Sequence, residues 1–249
     1  MAFSFFYTEK IANFVLENNK LYKTIDDIKE DYAVASVDAK VIGDYIIPGL
    51  NGLEVNVKDS YLNMKDSNVF NEYYLLYDVI YPNVSISENK DKIITQGNSK
   101  KQSVSFILEY DKNIIDYFTK NNIDASVLVD ISTFDSNLKL EQLNNEVNKF
   151  NDLDTLINKY QNNANICYVN TNNLNVCKEN NKYLVQTENI INNNTIVNIK
   201  NNIASGNIYY VNKNTDVKNI QLIINSILYK DLDIVRISEL ISEERLENK

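Results

Sequence analysis

Histidine and tryptophan are both absent from the 249 residues of this chain. Without histidine there is no imidazole to act as a general base or to bind a metal ion. This absence excludes Ser-His-Asp hydrolysis and every zinc site that depends on histidine. The two cysteines, Cys167 and Cys177, cannot fill a four-ligand zinc site by themselves, so they form either two buried thiols or one short-loop disulfide.

Basic charge is also in short supply. The chain carries 25 Lys and Arg against 34 Asp and Glu, which gives a formal net charge of −9. Nucleic acid needs a basic protein face for its phosphates, and electrostatic docking on anionic lipid needs one as well. The composition therefore argues against both, and we expect no nucleic acid partner.

Long apolar runs are missing too, since no segment reaches the roughly 18 apolar residues of a membrane span. The chain nevertheless begins with a short aromatic burst at 2–7, which is directly followed by charge. This pattern is typical of the interfacial end of a transmembrane helix, which would place a membrane anchor upstream of the chain. It is equally typical of a hydrophobic staple at the start of an ordinary helix. Both interpretations stay open.

One pattern of apolar runs and polar ends is clear in the middle of the chain. An apolar run over 104–108 ends in Glu109, Tyr110 and Asp111, a segment with helical spacing follows, and a second apolar run covers 125–129. This order indicates a strand, a helix and a parallel strand, because parallel strands are buried on both faces. Ligands of such folds bind beyond the carboxyl ends of the strands, so the site is predicted at Glu109 to Asp111.

Strands and helices alternate through the second half of the chain, which predicts an α/β domain over 99–249. Within it, apolar residues at helical spacing extend over 138–157. Upstream, 33–98 is interpreted as a mixed extension that packs on this domain. Residues 1–32 are interpreted as a helix, or as a stalk if an anchor precedes them.

Several motifs occur in the order known from the polysaccharide deacetylases, the chitooligosaccharide deacetylase superfamily. The family's Thr-Phe-Asp-Asp-Gly is similar to 107–111, its Ala-Thr-Phe-Phe-Val to 125–129, its Gly-His-Glu-Ile-Gly-Asn-His to 144–150, its Gly-Ser-Ile-Ile-Leu-Leu-His to 206–212, and its Gly-Tyr-x-Val-x-Leu-Ser-Glu-Leu to 232–240. The chain thus resembles a degenerate member of this superfamily. The resemblance implies an irregular (β/α) barrel with an N-terminal helix and a mixed extension.

The positions that carry catalysis in that family are changed in this chain. The aspartate pair, a general base and a metal ligand, falls on Glu109 and Tyr110. The metal histidines fall near Phe150, and the histidine that serves as general acid falls on Asn212. A lone carboxylate does not hold the metal that polarises the acetamide and activates water. The resemblance therefore implies a catalytically inactive relative, a pseudoenzyme, without a metal or another cofactor.

The stretch 47–55 resembles an extension of membrane-anchored deacetylase-like proteins from low-GC Gram-positive bacteria. The resemblance thus implies an extracytoplasmic, cell-surface protein that is tethered to the membrane through a segment upstream of the chain. In that compartment a structural disulfide between Cys167 and Cys177 is favoured over free thiols. The expected partner is a cell-wall glycan or an envelope protein.

Aromatic faces and phenolic hydroxyls suit sugar rings, although core packing is the alternative role for most of the tyrosines. The glycan-binding candidates lie at or near the ends of predicted strands: Glu109, Tyr110, Asp111, Tyr168 and Tyr210. A second hypothesis is an envelope carbohydrate hydrolase or deacetylase with altered chemistry, which would use Glu109, Asp111 and Glu146. A third is a purely structural domain that binds protein.

Overall fold

The computed structural model describes residues 19–146, 150–159 and 165–245. The aromatic burst at 2–7 and the start of the predicted N-terminal helix lie outside these ranges. The strands are β1 (Lys40–Ile42), β2 (Tyr45–Ile47), β3 (Gly52–Val55), β4 (Tyr77–Ile80), β5 (Ile93–Ile94), β6 (Ser103–Leu108), β7 (Ser126–Val129), β8 (Glu141–Asn144), β9 (Ile166–Tyr168), β10 (Tyr183–Val185), β11 (Ile190–Ile191), β12 (Ile208–Val211) and β13 (Asp233–Val235). The helices are α1 (Lys20–Ile28), α2 (Val57–Met64), α3 (Lys112–Lys120), α4 (Phe150–Lys159), α5 (Leu174–Glu179), α6 (Ile196–Asn201), α7 (Val217–Leu228) and α8 (Ile237–Ile241).

The chain divides into two compact units that interleave along the sequence. Among the described residues, the first contains 19–37 together with Asn51–Pro82, and the second contains Asp38–Leu50 and the described residues from Asn83 onward. Strands from 33–98 occur in both units. Strand β2 pairs with β5 and β5 pairs with β10 in the second unit, whereas β3 and β4 pair with each other in the first.

In the first unit, α1 and α2 pack with the antiparallel strand pair β3–β4. The side chain of Asn19 caps α1 by accepting from the N–H of Leu21 (2.8 Å), a favourable arrangement at a helix start. A Cβ atom on Gly52 would lie 2.6 Å from the carbonyl oxygen of Val34, so only glycine lets these two segments pass so closely. The buried core of this unit consists of Leu21, Ile25, Val55, Met64 and Leu75.

The second unit is an α/β fold built on two sheets. One has the order β1-β2-β5-β10-β9 and is parallel except for the β1–β2 hairpin. The other has the order β11-β12-β6-β7-β8, all parallel, with β13 also paired to β6. All six residues of β6 are buried, as expected for a central parallel strand. These sheets and their helices form the predicted irregular (β/α) barrel.

Side-chain alternation along the strands separates two apolar cores in this unit. The interior core contains alternate strand residues together with residues of α8: Ile94, Ile107, Leu128, Leu143, Ile166, Val185, Ile208, Ile237, Leu240 and Ile241. The outer core joins the opposite strand faces to α3 and α7: Phe106, Leu108, Val127, Val129, Tyr209, Val211, Ile114, Phe118, Ile220, Ile223, Ile224 and Ile227. A one-residue change of register would therefore exchange the two cores, which fixes the inward direction of every second side chain.

Helix α8 is fixed at the amino-terminal end of the barrel strands. The N–H of Ser238 donates to Glu141 Oε2 (3.3 Å), and the Ser126 hydroxyl donates to the same oxygen (2.5 Å). Lys101 Nζ donates to the carbonyl oxygens of Glu239 (2.5 Å) and Ser242 (2.7 Å) near the other end of the helix. A carboxylate at the start and an ammonium at the end match the helix dipole. This end of the barrel is therefore closed.

The predicted helical stretch at 138–157 is wrong in part, because its first half contains β8. Three of the four residues of β8 are polar, so the strand does not show the apolar run by which a buried strand is identified in a sequence. Gln142 is buried but satisfied, since its side chain accepts from Asp135 N–H (3.0 Å) and donates to Asp135 carbonyl (2.8 Å). The helix begins only at α4, after residues 147–149, which lie outside the described residues.

Candidate functional site

Three strands bring predicted site residues to the carboxyl-terminal end of the barrel. Glu109 directly follows β6, Tyr168 ends β9, and Tyr210 is the third residue of β12. Each lies two positions beyond a residue of the interior core: Ile107, Ile166 and Ile208. Because alternate side chains of an extended chain point the same way, all three face the barrel axis. We call Glu109, Tyr168 and Tyr210 the barrel mouth.

The rings of Tyr168 and Tyr210 stack in this mouth. Their centroids are 4.7 Å apart and their planes differ by 12°, and both side chains are half-buried. Burial, the Glu109 carboxylate and Tyr168 together raise the pKa of Tyr210 to about 12. Burial also raises the pKa of Tyr168. Both phenols therefore stay protonated near neutral pH and remain able to donate hydrogen bonds.

Glu109 holds the loop that follows β12. Its Oε2 accepts from the backbone N–H of Lys213 (2.9 Å), and its Oε1 lies 3.5 Å from Lys213 Nζ. The ion pair is partly exposed, so solvent screening leaves it a small contribution to stability. The backbone N–H of Glu109 donates to Val211 (3.0 Å), which continues the ladder between β6 and β12. The carboxylate thus has a structural role in the mouth.

Asp111 has a structural role of the same kind. Its Oδ1 caps α3 by accepting from the N–H groups of Asn113 (2.9 Å) and Ile114 (3.3 Å). Its Oδ2 accepts from the N–H of Asn214 (3.1 Å), one residue beyond the partner of Glu109. Asn214 has a φ of 62°, a left-handed conformation that asparagine adopts more readily than most residues. Two carboxylates therefore hold one loop.

The other predicted positions are not brought into the stack. Tyr110 is 41% exposed at the surface. Glu146 accepts from the N–H of Ile131 (3.1 Å), in the loop between β7 and β8. Asn212, the position that the resemblance gives to the family's general acid, accepts from the Thr215 hydroxyl (2.6 Å) through its backbone carbonyl oxygen. Among the mouth candidates, Glu109, Tyr168 and Tyr210 are thus the residues that come together.

A disulfide lies directly behind the tyrosine stack. It joins Cys167 on β9 to Cys177 on α5, with the two Cα atoms 6.2 Å apart and both side chains buried. The side chain of Asn173 donates to the carbonyl oxygen of Tyr168 (3.0 Å). Helix α5 is therefore tied to the strand that carries Tyr168, and this connection restricts the position of the ring.

The described residues do not offer the donor set of a zinc site. Within 19–146, 150–159 and 165–245, no group of three or more Cys, Asp or Glu could hold a metal ion. Glu109 and Asp111 each direct oxygens at backbone N–H groups instead. The positions near Phe150 adjoin residues outside the described ranges. In the same ranges no helix has the length and apolar character needed to cross a membrane.

No protein family model matches the chain. A curated relative is the uncharacterized protein YlxY of Bacillus subtilis (strain 168), which is 28% identical over 129 residues. The match covers 48% of this chain and 40% of YlxY. The chain therefore spans about two fifths of the length of the curated relative that it matches.

Solved structures resemble the chain over most of its length. BA3943, a CE4 family pseudoenzyme from Bacillus anthracis, has a TM-score of 0.61 and 15% identity, over 91% of this chain and 96% of that one. A BA3943 mutant, described as a CE4 family pseudoenzyme with restored enzymatic activity, has a TM-score of 0.61 and 14% identity, over 91% and 99%. The chain therefore has the fold of the CE4 polysaccharide deacetylases, and the predicted resemblance to this superfamily is confirmed at the level of the fold.

Proposed function

We propose that this protein is a catalytically inactive, deacetylase-like protein of the cell envelope, whose barrel mouth binds a cell-wall glycan. The observation that carries the proposal is the use of the carboxylates at and beside the barrel mouth. The resemblance places the family's aspartate pair on Glu109 and Tyr110, yet Tyr110 carries no carboxylate and Glu109 holds the loop at Lys213. The neighbouring Asp111 holds the same loop at Asn214. The strand ends keep the geometry of a ligand site while their acids perform a structural task.

Deacetylation in the family requires a metal ion and a general acid, and this chain lacks the histidines that bind the metal and donate the proton there. It contains no histidine. The side-chain amide at Asn212 does not give up a proton near neutral pH, so it does not replace an acid that protonates a leaving amine. A carboxylate already occupied by two donors of Lys213 is also a weak general base. These features support binding without turnover.

The stacked tyrosines support glycan binding at the mouth. A half-buried aromatic pair offers an apolar ring face and protonated hydroxyls to a sugar, which is the combination that carbohydrate recognition uses. The Glu109 carboxylate next to Tyr210 adds a hydrogen-bond acceptor for sugar hydroxyls or acetamide N–H groups.

Cell-surface location belongs to this proposal as well. The Cys167–Cys177 disulfide supports an oxidising, extracytoplasmic compartment. Tethering to the membrane would come from a segment upstream of the chain. Fractionation of cells that produce the natural full-length protein tests this part: recovery with the cytosol and with free thiols on both cysteines would contradict it.

Calorimetric titration with an N-acetylated chito-oligosaccharide tests the binding proposal. We expect the protein to bind, and we expect Tyr210→Ala to weaken binding by at least about tenfold because the stacking face is lost. Tyr210→Phe is the matched control, because it keeps the ring and removes only the hydroxyl, and it should retain most of the affinity. Equal affinity for the original protein and Tyr210→Ala, or no binding at all, would overturn the proposal.

A further inference from the structure

The antiparallel strand pair β3–β4 of the first unit has one open edge, along β4. Strand β3 pairs with β4 on one side and with Val34 on the other. Val34 and Leu53 exchange both backbone hydrogen bonds, with Val34 N–H to Leu53 O at 2.7 Å and Leu53 N–H to Val34 O at 2.8 Å. The backbone groups of Leu53 therefore point away from β4. In the part of the chain that the structure describes, β4 has β3 as its one paired strand.

The register shows which backbone groups of β4 face outward. Leu53 lies opposite Val79, and its backbone groups are used on the other side, so this is a non-hydrogen-bonded pair. In such a pair both residues direct their N–H and C=O away from each other. Val55 and Tyr77 form the next pair of this kind. Tyr77 and Val79 thus present their backbone groups at the open edge.

The edge is apolar, aromatic and exposed. All four residues of β4 are exposed. Tyr73 (87%) and Tyr81 (74%) are among the most exposed large side chains in the described residues, and Tyr74 (51%) is exposed as well. Natural sheets protect open edges with short strands, with charged side chains (lysine above all), with proline or with a covering element. Strand β4 is short and carries Asp78, but no lysine or proline occurs over 69–81.

The charges along this edge are acidic. Glu72 and Asp78 are the charged residues of 69–81. Glu54 lies directly opposite Asp78 in the register, which places two like charges across from each other at a cost in stability. A second copy of the strand, paired antiparallel about Asp78, would put a third carboxylate next to them. The side-chain amide of Asn56 donates to both Asp78 oxygens (3.2 and 3.1 Å), but it brings no positive charge. A basic side chain would offset the acidic charge, so charge favours a basic partner over a second copy of this chain.

We propose that the open edge of β4 binds an extended segment of another protein by strand addition, and that basic and apolar residues alternate along this segment. The added strand would pair with the outward N–H and C=O groups of Tyr77 and Val79. Successive side chains point to opposite faces. The basic residues of the added strand therefore lie on the face that carries Asp78 and Glu54. Its apolar residues lie on the opposite face, with Tyr77 and Val79.

Hydrogen exchange combined with a peptide titration tests the inference. The probe is a ten-residue peptide that alternates lysine with valine, and its counterpart alternates glutamate with valine. In the free protein we expect fast exchange at the amides of Tyr77 and Val79 and slower exchange at Asp78 and Ile80, whose pairs carry the ladder to β3. The lysine peptide should slow exchange at Tyr77 and Val79, and the glutamate peptide should not.

Val79→Pro tests the proposed pairing most directly, because it removes a backbone N–H that the β3–β4 pair does not use. Proline is tolerated on an edge strand when its missing N–H faces solvent. We expect Val79→Pro to weaken lysine-peptide binding by at least about tenfold. Val79→Thr keeps the N–H and the β-branched shape, so it should bind within about twofold of the original protein. Slow exchange at Glu54 and Asp78, which pair across the two strands, shows in both variants that the β3–β4 pairing is intact.

Several outcomes would overturn the inference. These are equal binding of both peptides, unchanged affinity in Val79→Pro, or protection of Tyr77 and Val79 by a chito-oligosaccharide instead of the peptide. Concentration-dependent dimers that protect the same two amides would show that a second copy is the occupant, and would overturn it as well. Tyr210→Ala should leave peptide binding unchanged, so failure here and failure of the proposed glycan site are distinguishable.

Discussion

At the amino-terminal end of the barrel Glu141 is 3% exposed, whereas at the carboxyl-terminal end 31% of the Glu109 side-chain surface is exposed. Both carboxylates accept from the backbone N–H of a neighbouring segment, Ser238 in one case and Lys213 in the other. The first interaction fixes a helix that closes the barrel. The second shapes a loop beside the half-buried Tyr168 and Tyr210. The same kind of hydrogen bond, from a backbone N–H to a glutamate, therefore closes the barrel at one end and shapes an accessible site at the other.

If this contrast is correct, substitutions at the closed end act on stability. Glu141→Ala should lower the free energy of unfolding by about 3 kcal/mol, because it leaves the buried hydroxyl of Ser126 and the partly buried N–H of Ser238 without their acceptor and opens a cavity. Urea denaturation measures the change. Glu109→Ala, in the more exposed position, is the control and should cost less than about 1 kcal/mol. Similar losses for the two variants would break the comparison.

The disulfide lies next to the barrel mouth, but its removal should lower stability mainly because the unfolded chain gains conformational freedom. The double variant Cys167→Ala/Cys177→Ala releases a link with a sequence separation of ten residues, and the free energy of unfolding should fall by about 2 to 3 kcal/mol. Reduction of the original protein should have the same effect, and it should not affect the variant. No change in urea midpoint on reduction would show that the bond does not stabilise the protein.

The pH dependence of stability distinguishes the two ends further. Burial raises the pKa of Glu141 above its ordinary value of 4.5, although the hydrogen bonds from Ser126 and Ser238 act in the opposite direction. The folded state therefore holds this proton more tightly than the unfolded state. The corresponding stability is fully present below pH 4.5 and is lost as pH rises through the raised pKa. Denaturation of Glu141→Gln at pH 4 and pH 7 should lack this loss, and an identical pH profile would contradict it.

The smallest expected effect lies within the mouth. Burial is the main reason for the pKa of about 12 at Tyr210, and the Glu109 carboxylate is the next. Glu109→Gln removes that charge, so the pKa of Tyr210 should fall while the unfolding free energy changes little. Ultraviolet titration of tyrosinate reports the shift, and Tyr210→Phe identifies which transition belongs to this residue. An unchanged transition would show that Glu109 does not face the stack.

The mouth could be located from sequence because its first strand is an apolar run that ends abruptly in Glu109 and Asp111. The partners of these acids could not be located in this way. Lys213 and Asn214 are about one hundred positions away, and no periodicity connects them to β6. Their shape comes from the parallel pairing of β6 with β12, which is a property of the tertiary fold.

Strand β8 illustrates a second limit. Glu141, Gln142 and Asn144 are polar, yet all are buried, because each finds a partner that the sequence does not reveal. A pattern of apolar residues therefore favoured a helix where a strand is formed. The open edge of β4 is a third case: the aromatic, β-rich sequence near Tyr77 is visible, but the outward direction of its backbone groups depends on the pairing of Leu53 with Val34.

The central claim is that the barrel mouth binds a glycan without deacetylating it. Its most direct test is the release of acetate from an N-acetylated chito-oligosaccharide, at a concentration that saturates the protein and with zinc added. We expect binding by titration and no acetate above the rate of a protein-free sample. Zinc-dependent release of acetate that is lost in Glu109→Gln would contradict the claim.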